Sequence, residues 1–508
     1  MSVDITTNDL YEVGVTTDQL NLFHEGDKKS KIAVKTPVGL TKRVDLKKVV
    51  AQGEINSPLK CTVTVDSIAS DHVVNLADHL YHYKGSVAIP PLGMVDDTIG
   101  ISHCGLDTVI TTAHLNSKTN TKKLQYGENK CHKLHLGKNT NICADTSVDT
   151  WSVEKESEEI SSVWELVDKE GGKHVIETVT SDKYLGDILS SDGKNSLNIQ
   201  ERKRRGLVAV NQISDMLIDL CLGKYYFEAA NLLRNSLLLS TMVSNLESWY
   251  NLTNKEIADL ESVDEILLRK VFSAHSKTPK ETLFLESGNI PIRFILMTRR
   301  LNFLHYLLNE GETSLVRKFL QAQRESAGKG DWITMVEEDI RELEINLTLE
   351  EIEVVSKAGW KELVSKKVMK KAFEYLSERK ATHSKAKNII HHKLRLQSYL
   401  GSSENNLTIQ EKQFIFAART RMIDVKDNFK SSEANLTCRK CCKEKETQEH
   451  LLSCEALLDL NPVVSTPSYE DILGLDTEKI SRTGRILKSK YDLFKKPCAP
   501  MTSAAAAV

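Results

Sequence analysis

The residues best equipped for chemistry are four soft or borderline metal ligands in the last quarter of the chain. Cys438-Arg439-Lys440-Cys441-Cys442 is followed by His450 and Cys454. The pattern Cys-x2-Cys-x8-His-x3-Cys offers three thiolates and an imidazole within 17 residues. Tetrahedral Zn²⁺ in a structural role is the natural occupant of such a set. Cys441 and Cys442 compete for the second position, and the two-residue spacing of a tight knuckle favours Cys441. Thr447-Gln448-Glu449-His450 reads as the start of a short helix, which would put His450 and Cys454 four apart on one face. A second candidate is Gly93-Met94-Val95-Asp96-Asp97. Two adjacent carboxylates at a hairpin tip need water or a cation, and Mg²⁺ takes one or two carboxylates together with substrate phosphate oxygens. A third is positive charge. Arg202-Lys203-Arg204-Arg205 is one basic cluster, and residues 357–395 carry twelve basic side chains against three acids. Such stretches can line a phosphate backbone. The second reads equally well as a solvated helix facing the acidic residues 337–353.

These groups have to be held by elements of two kinds. The first third of the chain reads as α+β: strands at 32–39, 61–65 and 134–138, and a hairpin within 94–101 around the two aspartates. From about residue 198 the apolar spacing turns helical, with helices expected at 208–222, 225–246, 257–272 and 293–308. Thr253-Asn254-Lys255-Glu256 has the form of a capping box at the start of the third. Ala327-Gly328-Lys329-Gly330 reads as a break. The residues after 461 carry prolines and an alanine-rich end, and read as a partly disordered tail.

Composition limits the function classes. The chain has 508 residues, with 68 Lys and Arg against 70 Asp and Glu, a net charge of −2. Nucleic-acid-binding proteins are usually basic overall, but here acidic and basic segments alternate, so the total conceals local excesses. No apolar run reaches the roughly 18 residues of a membrane span, so no membrane partner is expected. The first residues have no secretory character, which points to an intracellular place, cytoplasmic or nuclear, where the ten cysteines stay thiols or ligands. Neither a P-loop nor a Rossmann glycine pattern is present.

Four segments in order carry a family resemblance. They are Gln52-Gly53-Glu54-Ile55-Asn56-Ser57-Pro58, then Val95-Asp96-Asp97, then Lys130-Cys131, then Lys183-Tyr184-Leu185-Gly186. Together the set resembles the palm of reverse transcriptases from non-LTR (LINE-type) retrotransposons. The resemblance implies an RNA-directed DNA polymerase, with a non-catalytic, retroelement-derived nucleic-acid-binding protein as the alternative. It implies Mg²⁺ on Asp96 and Asp97, Lys130 near the incoming triphosphate, and Gln52, Gly53, Ser57 and Pro58 beside the template and nucleotide. Lys183, Tyr184, Leu185 and Gly186 would form the primer grip, while Arg202, Arg204 and Arg205 would approach the primer–template duplex of RNA and DNA. The Cys-Cys-His-Cys knuckle, on Cys438, Cys441, His450 and Cys454, resembles one found downstream of the thumb in such elements, and Arg439, Lys440, Lys443 and Lys445 around it suit phosphate contacts. The implied layout is a partial palm over 1–195, an antiparallel sheet with helices, then a helical thumb over 196–285 and a helical post-thumb region over 286–430. The zinc knuckle follows over 431–460 and a tail over 461–508. The family's fingers, a third palm aspartate and an endonuclease have no counterpart in the reading, since Asp4 in Val3-Asp4-Ile5 is too near the helix expected at 10–15. Those parts would be absent or supplied by other chains.

Overall fold

The computed structural model describes residues 3–29, 31–33, 35–36, 39–45, 57–94, 97–103, 105–122, 124, 130–134, 136, 163–167, 173–250, 252–328, 330–402, 406–429, 435–457 and 467–496. The chain forms two units. One comprises Met1–Asn198 with Gly311–Ala327, the other Ile199–Glu310 with Gly328–Val508. Helix dominates, and the sheets are small and mainly antiparallel.

In the first unit, helices Val3–Glu12 and Thr17–Lys28 pack on each other, and the former also packs on helix Ser57–Asn75. The strand expected at 61–65 is therefore wrong, because those residues lie inside the Ser57–Asn75 helix. Pro58 suits a helix's first turn, where its missing N–H costs nothing. The face this helix buries is Lys60, Thr64, Ile68 and His72, four residues apart each time. Three of those four are polar, so no apolar stripe marked the helix, while the β-branched run Thr62-Val63-Thr64-Val65 imitated a strand. Helix Gly105–Thr121 lies alongside, tied by His114 Nε2 and Lys118 Nζ to the Asp71 carboxylate at 2.8 and 3.0 Å.

Short ladders complete this unit. Residues 32–39 form two-residue strands rather than one: Lys31–Ile32 pairs with Val44–Asp45, and Lys35–Thr36 with Gly39–Leu40. Strands Tyr81–Tyr83 and Val87–Ile89 make a hairpin, and so do Leu92–Met94 and Asp97–Ile99. Strand His132–Leu134, slightly earlier than expected, runs parallel to Lys173–Val179, whose other edge pairs antiparallel with Val163–Val167. Ser181–Tyr184 and Asp187–Ser190 form the last hairpin. Helix Leu315–Glu325 joins from later in the chain. It rests on Val87–Ile89, with the Phe319 ring 4.8 Å from that of Tyr83.

Among its described residues the second unit is built of helices, with two isolated β-bridges. Helix Ser196–Asp219 enters it at Ile199 and buries Ile199, Ala209, Val210, Ile213 and Leu217. The expected helix over 225–246 is Tyr226–Leu233, a π-helical stretch Arg234–Leu239 and Ser240–Val243 in succession. Thr253 and Glu256 form the reciprocal capping box at the head of Asn254–Phe272. The central helix Ile292–Leu308 packs against Asn254–Phe272, Trp332–Glu342, Leu349–Val354 and Lys357–Ala381. Two bidentate pairs lock this core, Arg234 with Asp264 and Arg300 with Asp339. The tail expected to be partly disordered contains helices Tyr469–Leu473 and Thr477–Lys495. The latter buries Ile480, Thr483, Leu487, Tyr491 and Phe494 at helical spacing. It crosses helix Ile409–Arg419 so closely that a Cβ on Gly484 would lie 2.4 Å from Ile415 Cγ1.

Candidate functional site

The Cys/His motif folds into a compact centre within the second unit. A bridge between Thr437 and Lys445 draws the chain into a tight loop. The loop is closed by Cys438 N–H donating to the Glu444 carbonyl at 2.7 Å and Glu446 N–H to the Leu436 carbonyl at 2.7 Å. Cys442 N–H donates to the Cys438 carbonyl at 3.0 Å, and Cys442 adopts φ +53°, in the left-handed region. That turn settles the competition between neighbours: Cys442 is exposed, and Cys441 joins the cluster. Helix Gln448–Ser453 then begins on Thr447, whose hydroxyl accepts from His450 N–H at 3.0 Å. Ligand atoms of Cys438, Cys441, His450 and Cys454 all lie within 4.8 Å of one another. A tetrahedron with Zn–S bonds of about 2.3 Å has edges of about 3.8 Å, so a small inward movement closes the four donors on one ion. Cys438, Cys454 and His450 are buried, as structural zinc ligands are.

The electrostatics of the centre suit a cation. The Glu444 and Lys443 amides lower the Cys441 thiol to about 6, while burial pushes Cys454 up to about 12. A dication deprotonates a coordinating thiol outright. The surrounding charges are paired within the protein. Arg439 is bidentate to Glu446 and stacks 4.8 Å over the Phe494 ring, Lys443 meets Glu455 at 2.7 Å, and Lys445 meets Asp427 at 2.5 Å. Lys490 Nζ donates to the Leu452 carbonyl, joining the C-terminal helix to the ligand-bearing one.

The aspartate hairpin belongs to the first unit. Asp97 is exposed and opens strand Asp97–Ile99, paired with Met94 across the turn. Asp96 lies outside the described residues, as do Gln52 and Gly53. Ser57 and Pro58 open the helix on which this hairpin rests, and a Cβ on Gly93 would come 3.0 Å from Val65 Cγ1 of that helix. The hairpin containing Lys183, Tyr184, Leu185 and Gly186 reaches the same place. Tyr184 Oη donates to the Leu92 carbonyl at 3.4 Å, and burial together with the Asp97 charge raises its phenol pKa. Lys183 is exposed on its strand. Leu185 and Gly186 form the two-residue turn with φ +47° and +95°, the geometry of a type I′ hairpin. Lys130 is exposed just before strand His132–Leu134, and His132 Nδ1 meets Asp182 Oδ2 of the tyrosine hairpin at 3.0 Å.

The basic cluster at 202–205 is used differently from the expectation. Arg202 is buried, donates to the Met242 carbonyl at 3.1 Å and stacks 5.1 Å over the Trp249 ring, so it packs helices and offers nothing at the surface. Lys203 pairs with Asp259 at 2.9 Å. Arg204 and Arg205 both hold Glu201, whose carboxyl they lower to about 2. The basic stretch 357–395 also divides. Lys380 is buried on the Ile389 carbonyl, Lys385 reaches the Asn428 carbonyl and Lys367 the Glu344 carbonyl, whereas Lys357, Lys361, Lys366, Lys387 and Lys393 are exposed.

Two groups of residues had no local signature. Glu444 bonds His450 from six residues away, a spacing with no motif of its own. Glu286, the pair His391 and Tyr399, and Arg419 converge from three separate segments. Among the described residues no helix is long and apolar enough to cross a membrane. No family model matches the chain, and no curated protein matches it.

Proposed function

We propose that the chain is a reverse-transcriptase-like protein of the non-LTR retrotransposon type, acting on a primer–template of RNA and DNA. One observation carries this reading. Tyr184, from the Lys-Tyr-Leu-Gly segment, bonds the Leu92 carbonyl of the hairpin whose second strand starts at Asp97. Two motifs read separately, almost ninety residues apart, are thus neighbours, as a primer grip beside paired metal-binding aspartates requires. The helix opened by Ser57 and Pro58 supports that hairpin from below. Asp97 is exposed, so a hydrated cation can reach it; Asp96 and Asp97 would hold Mg²⁺, which supplies charge neutralisation to the transferring phosphates. Lys183 and Lys130, both exposed, would meet nucleic-acid and triphosphate oxygens. Zn²⁺ on Cys438, Cys441, His450 and Cys454 would be structural.

A second reading, nucleic-acid binding without polymerisation, is favoured by the exposed Lys357, Lys361 and Lys366 of helix Lys357–Ala381, which would offer phosphate contacts without any polymerase chemistry. Primer extension on poly(rA)/oligo(dT) with Mg²⁺ separates the two. Incorporation by the wild type that disappears in Asp97→Asn supports polymerisation. Salt-dependent binding of the same duplex with no incorporation leaves the binding reading standing and removes the other.

A further inference from the structure

We propose that Glu444 is a positioning residue of the Cys-Cys-His-Cys centre, selecting the ring nitrogen with which His450 binds metal and shaping the loop that presents Cys438 and Cys441. The side chain carries the first part. Glu444 Oε2 lies 2.8 Å from His450 Nδ1, while His450 Nε2 lies 3.3 Å from Cys441 Sγ, inside the ligand cluster. An imidazole that donates Nδ1–H to a carboxylate keeps Nε2 unprotonated and aimed at the ion, and becomes a stronger donor for it. The main chain carries the second part. The Glu444 carbonyl accepts from Cys438 N–H at 2.7 Å. Its own amide faces the Cys441 sulfur. One residue therefore touches three of the four ligands.

Neighbouring carboxylates are engaged elsewhere. Glu446 holds Arg439, Glu449 holds Arg421, and Glu455 holds Lys443. Glu449 is the useful comparison, because it stands beside His450 on the same short helix yet faces away from the cluster. The Glu444 carboxylate is itself 69% exposed, so its bond to a 6%-exposed histidine side chain is either a metal-site device or a surface ion pair of little consequence.

The full-length chain decides this, with Co²⁺ and Zn²⁺ as probes. The visible spectrum of the Co²⁺ form reads ligand geometry, and competition with a chromogenic chelator reads affinity. Loss of the carboxylate in Glu444→Ala is expected to weaken metal binding about 10- to 100-fold, the range for removing such a partner, and to alter the Co²⁺ spectrum. Glu449→Gln is expected to bind like the wild type. Unchanged affinity and spectrum in Glu444→Ala would overturn the proposal, and so would an equal loss in Glu449→Gln. If Glu444→Ala does not fold, Glu444→Leu, which keeps the bulk but has no acceptor, decides alone: about tenfold weaker binding supports the role, and wild-type affinity refutes it. The inference rests on the centre being a metal site, and a wild-type chain that takes up neither ion removes that premise instead.

Discussion

Replacing Arg419 with methionine tests how the second unit tolerates its most deeply buried charges. Arg419 and Glu286 are both 0% exposed, with Arg419 Nε 2.8 Å from Glu286 Oε1. The same carboxylate is met by His391 Nε2 at 3.0 Å and by Tyr399 Oη at 2.9 Å, while Arg419 also donates to the Ile472 and Gly474 carbonyls. Burial works to raise the Glu286 carboxyl, but Arg419 and His391 outweigh it and hold the group at about 2. Because the group ordinarily titrates at 4.5, that depression stabilises the folded state. It is fully present above pH ~4.5 and is lost as pH falls toward 2. Methionine leaves the carboxylate buried without its cation, a change that typically costs about 3–5 kcal/mol. The sign of the pH dependence also reverses. Without Arg419, burial is opposed mainly by His391, whose own ring burial disfavours charging, so the folded-state carboxyl rises and the variant loses stability as pH climbs from about 4.5 toward neutrality. Urea unfolding followed by circular dichroism should show a midpoint lowered by about 1 M or more at pH 7, with a smaller deficit at pH 5. Adding Glu286→Gln should recover part of the loss. A cost below about 1 kcal/mol, or an equal deficit at both pH values, would refute the account of a carboxylate held by Arg419.

At the candidate metal centre, Cys442→Ser should leave Zn²⁺ stoichiometry and affinity unchanged, whereas Cys441→Ser should weaken binding strongly; equal effects in a chelator competition would mean the two thiols exchange. Chelation of the metal should open residues 435–457 to limited proteolysis and leave helix Ile292–Leu308 protected, since the latter's core does not depend on the centre. Leu185→Asn should stabilise the Ser181–Tyr184 hairpin by about 1 kcal/mol, because asparagine tolerates the left-handed φ of +47° that leucine resists. Unchanged amide exchange across 181–190 would show that this turn stores no strain.

What could be read in advance depended on whether a signal was local. The capping box at Thr253 and Glu256 was legible because both partners sit within one turn, and the candidate metal ligands Cys438, His450 and Cys454 were legible because they fall within 17 residues. The Ser57–Asn75 helix was not, since its inner face is polar and Lys60, Thr64 and His72 gave no apolar period. The Thr477–Lys495 helix had its period, but nearby prolines and the alanine-rich end weighed against it.

By itself, the sequence determined the candidate ligands Cys438, His450 and Cys454, the adjacency of Asp96 to Asp97, and the change from mixed to helical structure near residue 198. Those are matters of residue type and short-range spacing. Tertiary structure decided what each charge does. Arg202 went inside to the Met242 carbonyl and the Trp249 ring, Arg204 and Arg205 folded back onto Glu201, and Lys380 was buried on the Ile389 carbonyl. It also chose Cys441 over Cys442, through a left-handed turn, and assigned Gly311–Ala327 to the first unit. A charge in a sequence has only a sign; its partner, and hence whether it faces solvent, is set when distant segments compete for the same carbonyls and carboxylates as the chain packs.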